Sequence, residues 1–199
     1  MDEEDVERRI FDLVKTYLEG ESVSGLDHTL RVQRWCELIG KVEEADLHVL
    51  RVAALLHDVG VPSVGRKRHF EESALMAEKQ LEEMSFPKEK IDQIVHVIRA
   101  HSRFGGPKPG TKEAKILFDA DVLDSIGAVG IVRAIGRGLV EKTFSGDVDE
   151  APQLLKKVIA DSEGKFHTEE AKKIGAGYLR FIERFLERLK GELSRSSLL

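Results

Sequence analysis

The sequence predicts an all-α protein, and three observations carry that expectation. Apolar residues recur at intervals of three and four along most of the 199 residues, the spacing that lines one face of a helix. Proline and glycine are sparse inside those stretches and punctuate two segments, Gly60–Arg68 and Ser102–Gly110. No segment shows the apolar–polar alternation of a half-buried strand. A first helix covers Glu3 to Leu18, with Val6, Ile10, Val14 and Leu18 on one stripe, widened by Phe11 and Leu13, and Gly20 as its stop. A second runs from Leu26 to Gly40. A third, Asp46 to His57, is apolar around most of its circumference and belongs at the centre of a core. The Gly60–Arg68 loop leads to a helix from His69 to Met84. Pro87 opens the next, where a first-turn proline is tolerated, and it continues to His101. After the second loop the helical pattern resumes at Thr111, with breaks expected near Gly127 and Gly136. It ends in the strongly amphipathic Glu169–Leu193.

At 22.3 kDa the chain suits a single compact domain, residues 1–199. Apolar residues make up 41%, enough for a sizeable core and against wholesale disorder. The balance of 31 Lys+Arg against 36 Asp+Glu, −5 in all, argues against a basic face that tracks nucleic acid. A lone cysteine, Cys36, rules out an internal disulfide and a multi-cysteine zinc site. The acidic opening Met1-Asp-Glu-Glu-Asp is the reverse of a secretory signal, and no apolar run approaches the ~20 residues that span a bilayer. A cytoplasmic protein that does not engage membrane is expected. The pattern of Glu169–Leu193 fits pairing with a second subunit in a homodimer as well as packing on its own core.

Several histidines share the apolar stripes. His28 lies with Val32, Trp35 and Ile39; His57 with Leu47, Leu50 and Ala54; His101 follows Ile91, Ile94 and Ile98. His69 stands at a helix start just past the first loop, Asp58 directly follows His57, and Asp121 lies in Asp119-Ala-Asp-Val-Leu-Asp124. Imidazoles and carboxylates aimed inward from different helices make a site for a divalent cation. Imidazole suits Mn, Fe, Co, Ni and Zn, and carboxylates widen the choice toward Mg. Such an ion suits hydrolysis of a phosphate ester or anhydride. The plainer alternative is a set of core polar groups satisfying one another, but burying several carboxylates together without a cation is expensive. Arg66, Lys67 and Arg68 in the first loop and Arg103 in the second are candidates to meet an anionic substrate, against the plain reading of solvated charges. Asp119 and Asp124 are read as supports for the ligands. His48, His96 and His167 fall off the inward stripes and are expected on the surface, and Phe118, Phe181 and Phe185 in the core.

His28, the adjacent His57-Asp58 and the later Asp121 resemble the H…HD…D pattern of the HD superfamily of metal-dependent phosphohydrolases. The flanks Ala53-Ala-Leu-Leu-His-Asp-Val-Gly60, Ile98-Arg-Ala-His101-Ser and Asp119-Ala-Asp-Val-Leu-Asp-Ser-Ile-Gly127 read like that family's local signatures. The resemblance spans residues 24–135, with weaker likeness in the helices of 136–199. It implies an all-α fold with a metal site between core helices and a first ion held by His28, His57, Asp58 and Asp121. Some branches hold a second ion on two further histidines and the bridging aspartate, and His69, followed by Ser73-Ala74, and His101 resemble those two. The implied activity is phosphohydrolysis, an activated water attacking phosphorus of a small phosphorylated molecule, a nucleotide foremost. Departures narrow the branch. Val61-Pro62-Ser63 stands where guanosine tetraphosphate hydrolases carry Glu-Asp, and the Gly-Tyr-Pro motif of the cyclic dinucleotide branch is missing. Val61 also replaces the water-positioning glutamate of nucleoside monophosphatase relatives. Asp58 carries over as catalytic, while the general base stays open between Glu72, Asp124 and the activated water itself. A non-catalytic sensor that binds a metal or nucleotide is the alternative from another class.

Overall fold

In the computed structural model, which describes residues 3–196, all regular elements among the described residues are helical. The chain divides into two compact units, Met1–Asp121 and Val122–Leu199.

The first unit holds α1 (Glu3–Tyr17), α2 (Leu26–Val42), α3 (Leu47–Leu56), α4 (Val61–Val64), α5 (His69–Glu83), α6 (Lys88–Ala100) and most of α7 (Lys112–Asp124). Helix α3 is its axis. Seven of its ten residues are buried, and it packs against α1, α2, α5 and α6. Asp46 starts it, accepting hydrogen bonds from the backbone N–H groups of His48 and Val49, both at 3.1 Å. This cap satisfies donors that a helix start otherwise leaves open. Lys90 Nζ reaches the same carboxylate at 2.5 Å and ties α6 to the start of α3. Lys112 Nζ donates to the Glu43 carbonyl at 2.6 Å and fixes where α7 begins relative to the end of α2. The α1 stripe Val6, Ile10, Val14 and Leu18 is buried, as its spacing requires.

Three details differ from the sequence reading of this unit. The expected Gly60–Arg68 loop contains the one-turn helix α4, with Pro62 in its first turn, where a missing N–H costs nothing. His48 is half-buried and stacks on Phe86, ring centroids 5.8 Å apart, because its stripe faces the loop between α5 and α6 rather than solvent. The window Leu47–Val64 is long and apolar enough by length and composition to cross a membrane, which the sequence reading did not expect of any run. Sixty-seven per cent of it is buried inside the protein, the mark of a core helix.

The second unit contains α8 (Gly127–Val140), a short 3-10 turn (Val148–Glu150), α9 (Ala151–Ser162) and α10 (Glu169–Ser196). These three α-helices pack pairwise, with Ile131, Leu155, Phe166, Ala171, Ile182 and Leu186 buried among the unit's residues. The break expected at Gly136 does not occur: α8 runs through it, since one internal glycine costs only about 1 kcal/mol. Phe118, in α7, is buried, but Phe181 and Phe185 are 39% and 41% exposed and are not core residues. The apolar arc of α10 is wider than the stripe that α10 buries.

Candidate metal centre

The first unit brings the ends of several helices together. His28 comes from the first turns of α2, His57 caps the C-terminus of α3, and Asp58 follows it. His69 opens α5, His101 caps α6, and Asp121 lies on α7. The four histidines and Asp58 are buried, and Asp121 is half-buried. Helix termini suit this work: each ring sits where the main chain turns and a carbonyl is free to accept. His57 Nδ1–H donates to the Ala54 carbonyl at 2.7 Å, His69 Nδ1–H to Arg66 at 2.6 Å and His101 Nδ1–H to Ile98 at 2.6 Å. Each of these bonds fixes the tautomer and points Nε2 into the centre.

Asp58 divides the centre in two. Its Oδ2 lies 3.5 Å from His28 Nε2 and 3.6 Å from His57 Nε2, while its Oδ1 lies 3.2 Å from His69 Nε2 and 3.6 Å from His101 Nε2. Within the first set, His57 Nε2 is 3.4 Å from His28 Nε2, which is 3.4 Å from Asp121 Oδ1. Within the second, the two Nε2 atoms are 3.0 Å apart. Donors about 2.1 Å from an ion stand about 3.0 Å apart on an octahedral edge and about 3.4 Å apart on a tetrahedral one. The spacings match those edges, so His28, His57 and Asp58 form one group that could hold a divalent ion, with Asp121 beside His28, and Asp58, His69 and His101 form a second.

The electrostatics also favour cations. Burial pushes the His57 imidazole down to about 4, so it is neutral at physiological pH. Burial likewise lowers His69. Burial works against the charge of Asp58, but His57, His101 and His28 outweigh it and hold the carboxyl well below the usual range. Asp121 is held low in the same way, against burial, by the Arg103 guanidinium and His28. Burial alone would lower His101; its hydrogen bond to Asp58 and the charges of Asp58 and Asp121 raise it instead. Two ionised carboxylates and converging imidazole nitrogens, largely shielded from water, are a ligand set for a divalent metal.

Around this centre, Glu72 packs on Gly60, two residues past Asp58: a Cβ built on Gly60 would stand 2.8 Å from Glu72 Cβ and 2.7 Å from the Ser73 backbone nitrogen. The Gly60 N–H donates to Ser73 Oγ at 2.9 Å, so glycine at 60 lets α5 seat against the His57–Asp58 turn. Arg66 donates to Ser24 Oγ at 3.0 Å and lies over the Phe104 ring, 5.2 Å from its centroid. That contact joins the loop before His69 to the loop after His101. Neither Ser24 nor Phe104 was legible in the sequence; a lone aromatic in a glycine-rich loop was the one available sign. Arg103 is half-buried, and its Nε is buried without a hydrogen-bond partner. Lys67 and Arg68 are exposed. Asp119 is buried on α7. Asp124 belongs to the second unit, where Arg133 Nη1 donates to its Oδ2 at 2.6 Å and to its carbonyl at 3.0 Å.

Fold and centre together define a helical protein built to hold divalent cations on histidine and aspartate. Residues 25–126 match the model of the HD domain, and the chain belongs to the HD-domain superfamily. It is 32% identical over 195 residues to the uncharacterized protein YpgQ of Bacillus subtilis, covering 90% of each chain. The crystal structure of YpgQ in complex with ADP superposes with a TM-score of 0.75 over 96% of this chain and 97% of that one, at 27% identity. The Lin1889 protein of Listeria innocua superposes with a TM-score of 0.77 over 98% of both, at 25% identity. A predicted HD superfamily hydrolase from an uncultured Thermotogales bacterium does so with 0.68, over 94% of this chain and 92% of that one, at 27% identity. Metal-dependent phosphohydrolysis is the general class of activity that this fold and centre support.

Proposed function

We propose that the protein hydrolyses a phosphate ester or anhydride of a nucleotide, using two divalent ions. The observation that carries this reading is the Asp58 carboxylate, each of whose oxygens faces its own pair of imidazole Nε2 atoms. A two-ion centre with a shared carboxylate suits in-line displacement at phosphorus. When bound, the ions neutralise phosphate charge and acidify water. His28, His57 and Asp121 complete one ligand set, and His69 and His101 the other.

The remaining roles fall to side chains around the centre. Arg103, beside Asp121 with an unpaired buried Nε, offers its donors to a phosphate oxygen. Arg66, Lys67 and Arg68 add positive charge on the loop before His69, and the Arg66–Phe104 contact orders that loop against its neighbour. Glu72, packed on the Gly60 backbone, is the carboxylate suited to accept a proton from the attacking water. Asp124 is engaged by Arg133 and serves as a positioning residue at the end of α7. A nucleotide substrate draws support from ADP bound to the related YpgQ.

The test is release of phosphate and pyrophosphate from a panel of nucleoside mono-, di- and triphosphates with added Mn²⁺, run beside Asp58→Ala. Release that disappears in the variant is the expected result and shows which bond breaks. No release from any nucleotide, with metal bound to the wild type, would overturn it in favour of a binding module or a different phosphorylated substrate.

A further inference from the structure

Phe104 is the one Phe, Tyr or Trp among residues 101–111, and it is 53% exposed. A single exposed apolar side chain is ordinary on a protein surface, but this one is held in place. Its backbone N–H donates to Ser102 Oγ at 3.1 Å, and Ser102 is buried. The next two residues, Gly105 and Gly106, lie against the Phe70 ring, where a Cβ would stand 3.0 and 3.2 Å from it. Gly106 has a φ of 91°, and a Cβ there would also stand 2.3 Å from the Arg99 carbonyl oxygen, so the close return of the loop onto α6 requires glycine. On one face of the Phe104 ring rests the Arg66 guanidinium, 5.2 Å from the centroid. The same guanidinium donates to Ser24 Oγ at 3.0 Å, which keeps it under the ring. The exposed area of Phe104 is therefore the opposite face of a ring that the fold has fixed.

The ring stands at the edge of the metal centre. His101 Nε2 lies 3.6 Å from Asp58, and Arg103, two residues on, is near enough to Asp121 for its charge to act on that carboxylate. Phe104 follows Arg103 directly. Consecutive Cα atoms are 3.8 Å apart, so the Phe104 Cα lies within about 11 Å of the His101 Cα. This order of residues runs parallel to the parts of a nucleotide: phosphates at the centre and Arg103, then the ribose, then the base. A base has apolar faces and polar edges, and an aromatic face stacks on it without reading its identity. The charge of Arg66 draws π density from the ring, so its outer face favours an electron-rich partner. A bicyclic purine also covers more of the ring than a pyrimidine does.

Resting on the nucleotide substrate proposed above, we propose that Phe104 is the base platform of the site: the outer face of its ring, backed by Arg66, stacks the purine of the substrate. Titration calorimetry of the Mn²⁺-loaded protein with α,β-methylene-ADP, whose P–C–P bridge resists hydrolysis, reads it. Methylenediphosphonate, the same head group without the nucleoside, is the companion probe. Phe104→Ala should weaken the nucleotide analogue at least about fivefold and methylenediphosphonate less than about twofold. Phe104→Trp, which keeps a stacking face, should bind the analogue at least as tightly as wild type. The uridine counterpart should bind wild type more weakly than the adenosine analogue, and the two should converge in Phe104→Ala. Matching melting curves show that the fold is intact. An equal loss for both probes would mean that Phe104 only orders Arg66 and its loop, and overturns the platform. Unchanged nucleotide affinity in Phe104→Ala also overturns it and leaves the nucleotide substrate standing. Equal affinity of the wild type for the two bases overturns the preference for purine. A wild type that binds methylenediphosphonate but no nucleotide analogue removes the nucleotide substrate and the platform together.

Discussion

Gly60→Ala should cost this protein far more than a methyl group usually does. The added Cβ would stand 2.7 Å from the Ser73 backbone nitrogen and 2.8 Å from Glu72 Cβ. Ordinary contacts begin near 3.5 Å, so the start of α5 must move back by about 0.7 Å. Neither neighbour is the end of a flexible side chain; one is backbone. Overpacking of this kind costs about 1–3 kcal/mol. The same displacement stretches the 2.9 Å bond from the Gly60 N–H to Ser73 Oγ, a further loss of about 0.5–1.5 kcal/mol. With about 2–4 °C per kcal/mol for a chain of this size, the melting temperature should fall by about 3–18 °C. Because α5 begins with His69, the second ligand set loosens as well, and affinity for one ion falls by about 10–100-fold while the set on His28 and His57 persists. Gly191→Ala is the control. It is the same substitution in a helix with nothing within 4 Å of the new Cβ, and should raise the melting temperature slightly. Calorimetry with metal titration reads both. A Gly60→Ala protein that melts within about 2 °C of wild type would refute the reasoning.

Other consequences are as direct. His101→Ala should lower bound metal, measured by plasma mass spectrometry, by one ion per chain; loss of both or neither would contradict the division of the centre by Asp58. Metal affinity should fall as pH drops. The raised His101 imidazole takes up a competing proton from above pH 6.5, whereas His57, lowered to about 4, stays neutral. Chelator competition should show about a tenfold loss per pH unit below that point, and an affinity flat from pH 8 to about 5.5 would refute the assignment. Arg133→Met removes one partner, 2.6 Å from the buried Asp124 carboxylate, and should cost about 2 kcal/mol in denaturant titration, the worth of a hydrogen bond to a charged group; a loss under about 0.5 kcal/mol would show the pair to be dispensable.

The fold was legible because periodicity is a local property. Val6, Ile10, Val14 and Leu18 are buried, and the apolar girth of Leu47–Leu56 is that of the helix on which four others pack. The reading failed where the outcome depended on what a helix meets. Phe181 and Phe185 sit on the apolar arc of α10, yet they are exposed beside the buried Ile182 and Leu186. Gly136 looked like a break because glycine is a weak helix former, and the rest of α8 overrides that preference.

The centre was legible for a different reason. Its ligands come from segments far apart in sequence, but each carries a local sign: a histidine on an apolar stripe for His28, His57 and His101, a helix start past a loop for His69, a buried helix end for Asp58 and the Ala-Asp-Val-Leu flank for Asp121. Four such signs in order resembled one family, and the geometry brings all six residues together. The supports carried no such sign. Ser73 accepts from Gly60 across 13 residues, and Arg66 reaches Ser24 across 42, relations set by how α5 and α2 seat rather than by spacing along either. The main-chain carbonyls of Ala54, Arg66 and Ile98 that orient the rings have no side-chain identity to read at all. Each nevertheless lies three residues before its histidine. A histidine at the C-terminal end of an apolar helix can turn Nδ1 onto that carbonyl, which aims Nε2 off the end of the helix. The last turn of a core helix therefore orients a ligand with no other residue's help, and His57 and His101 both stand at that position.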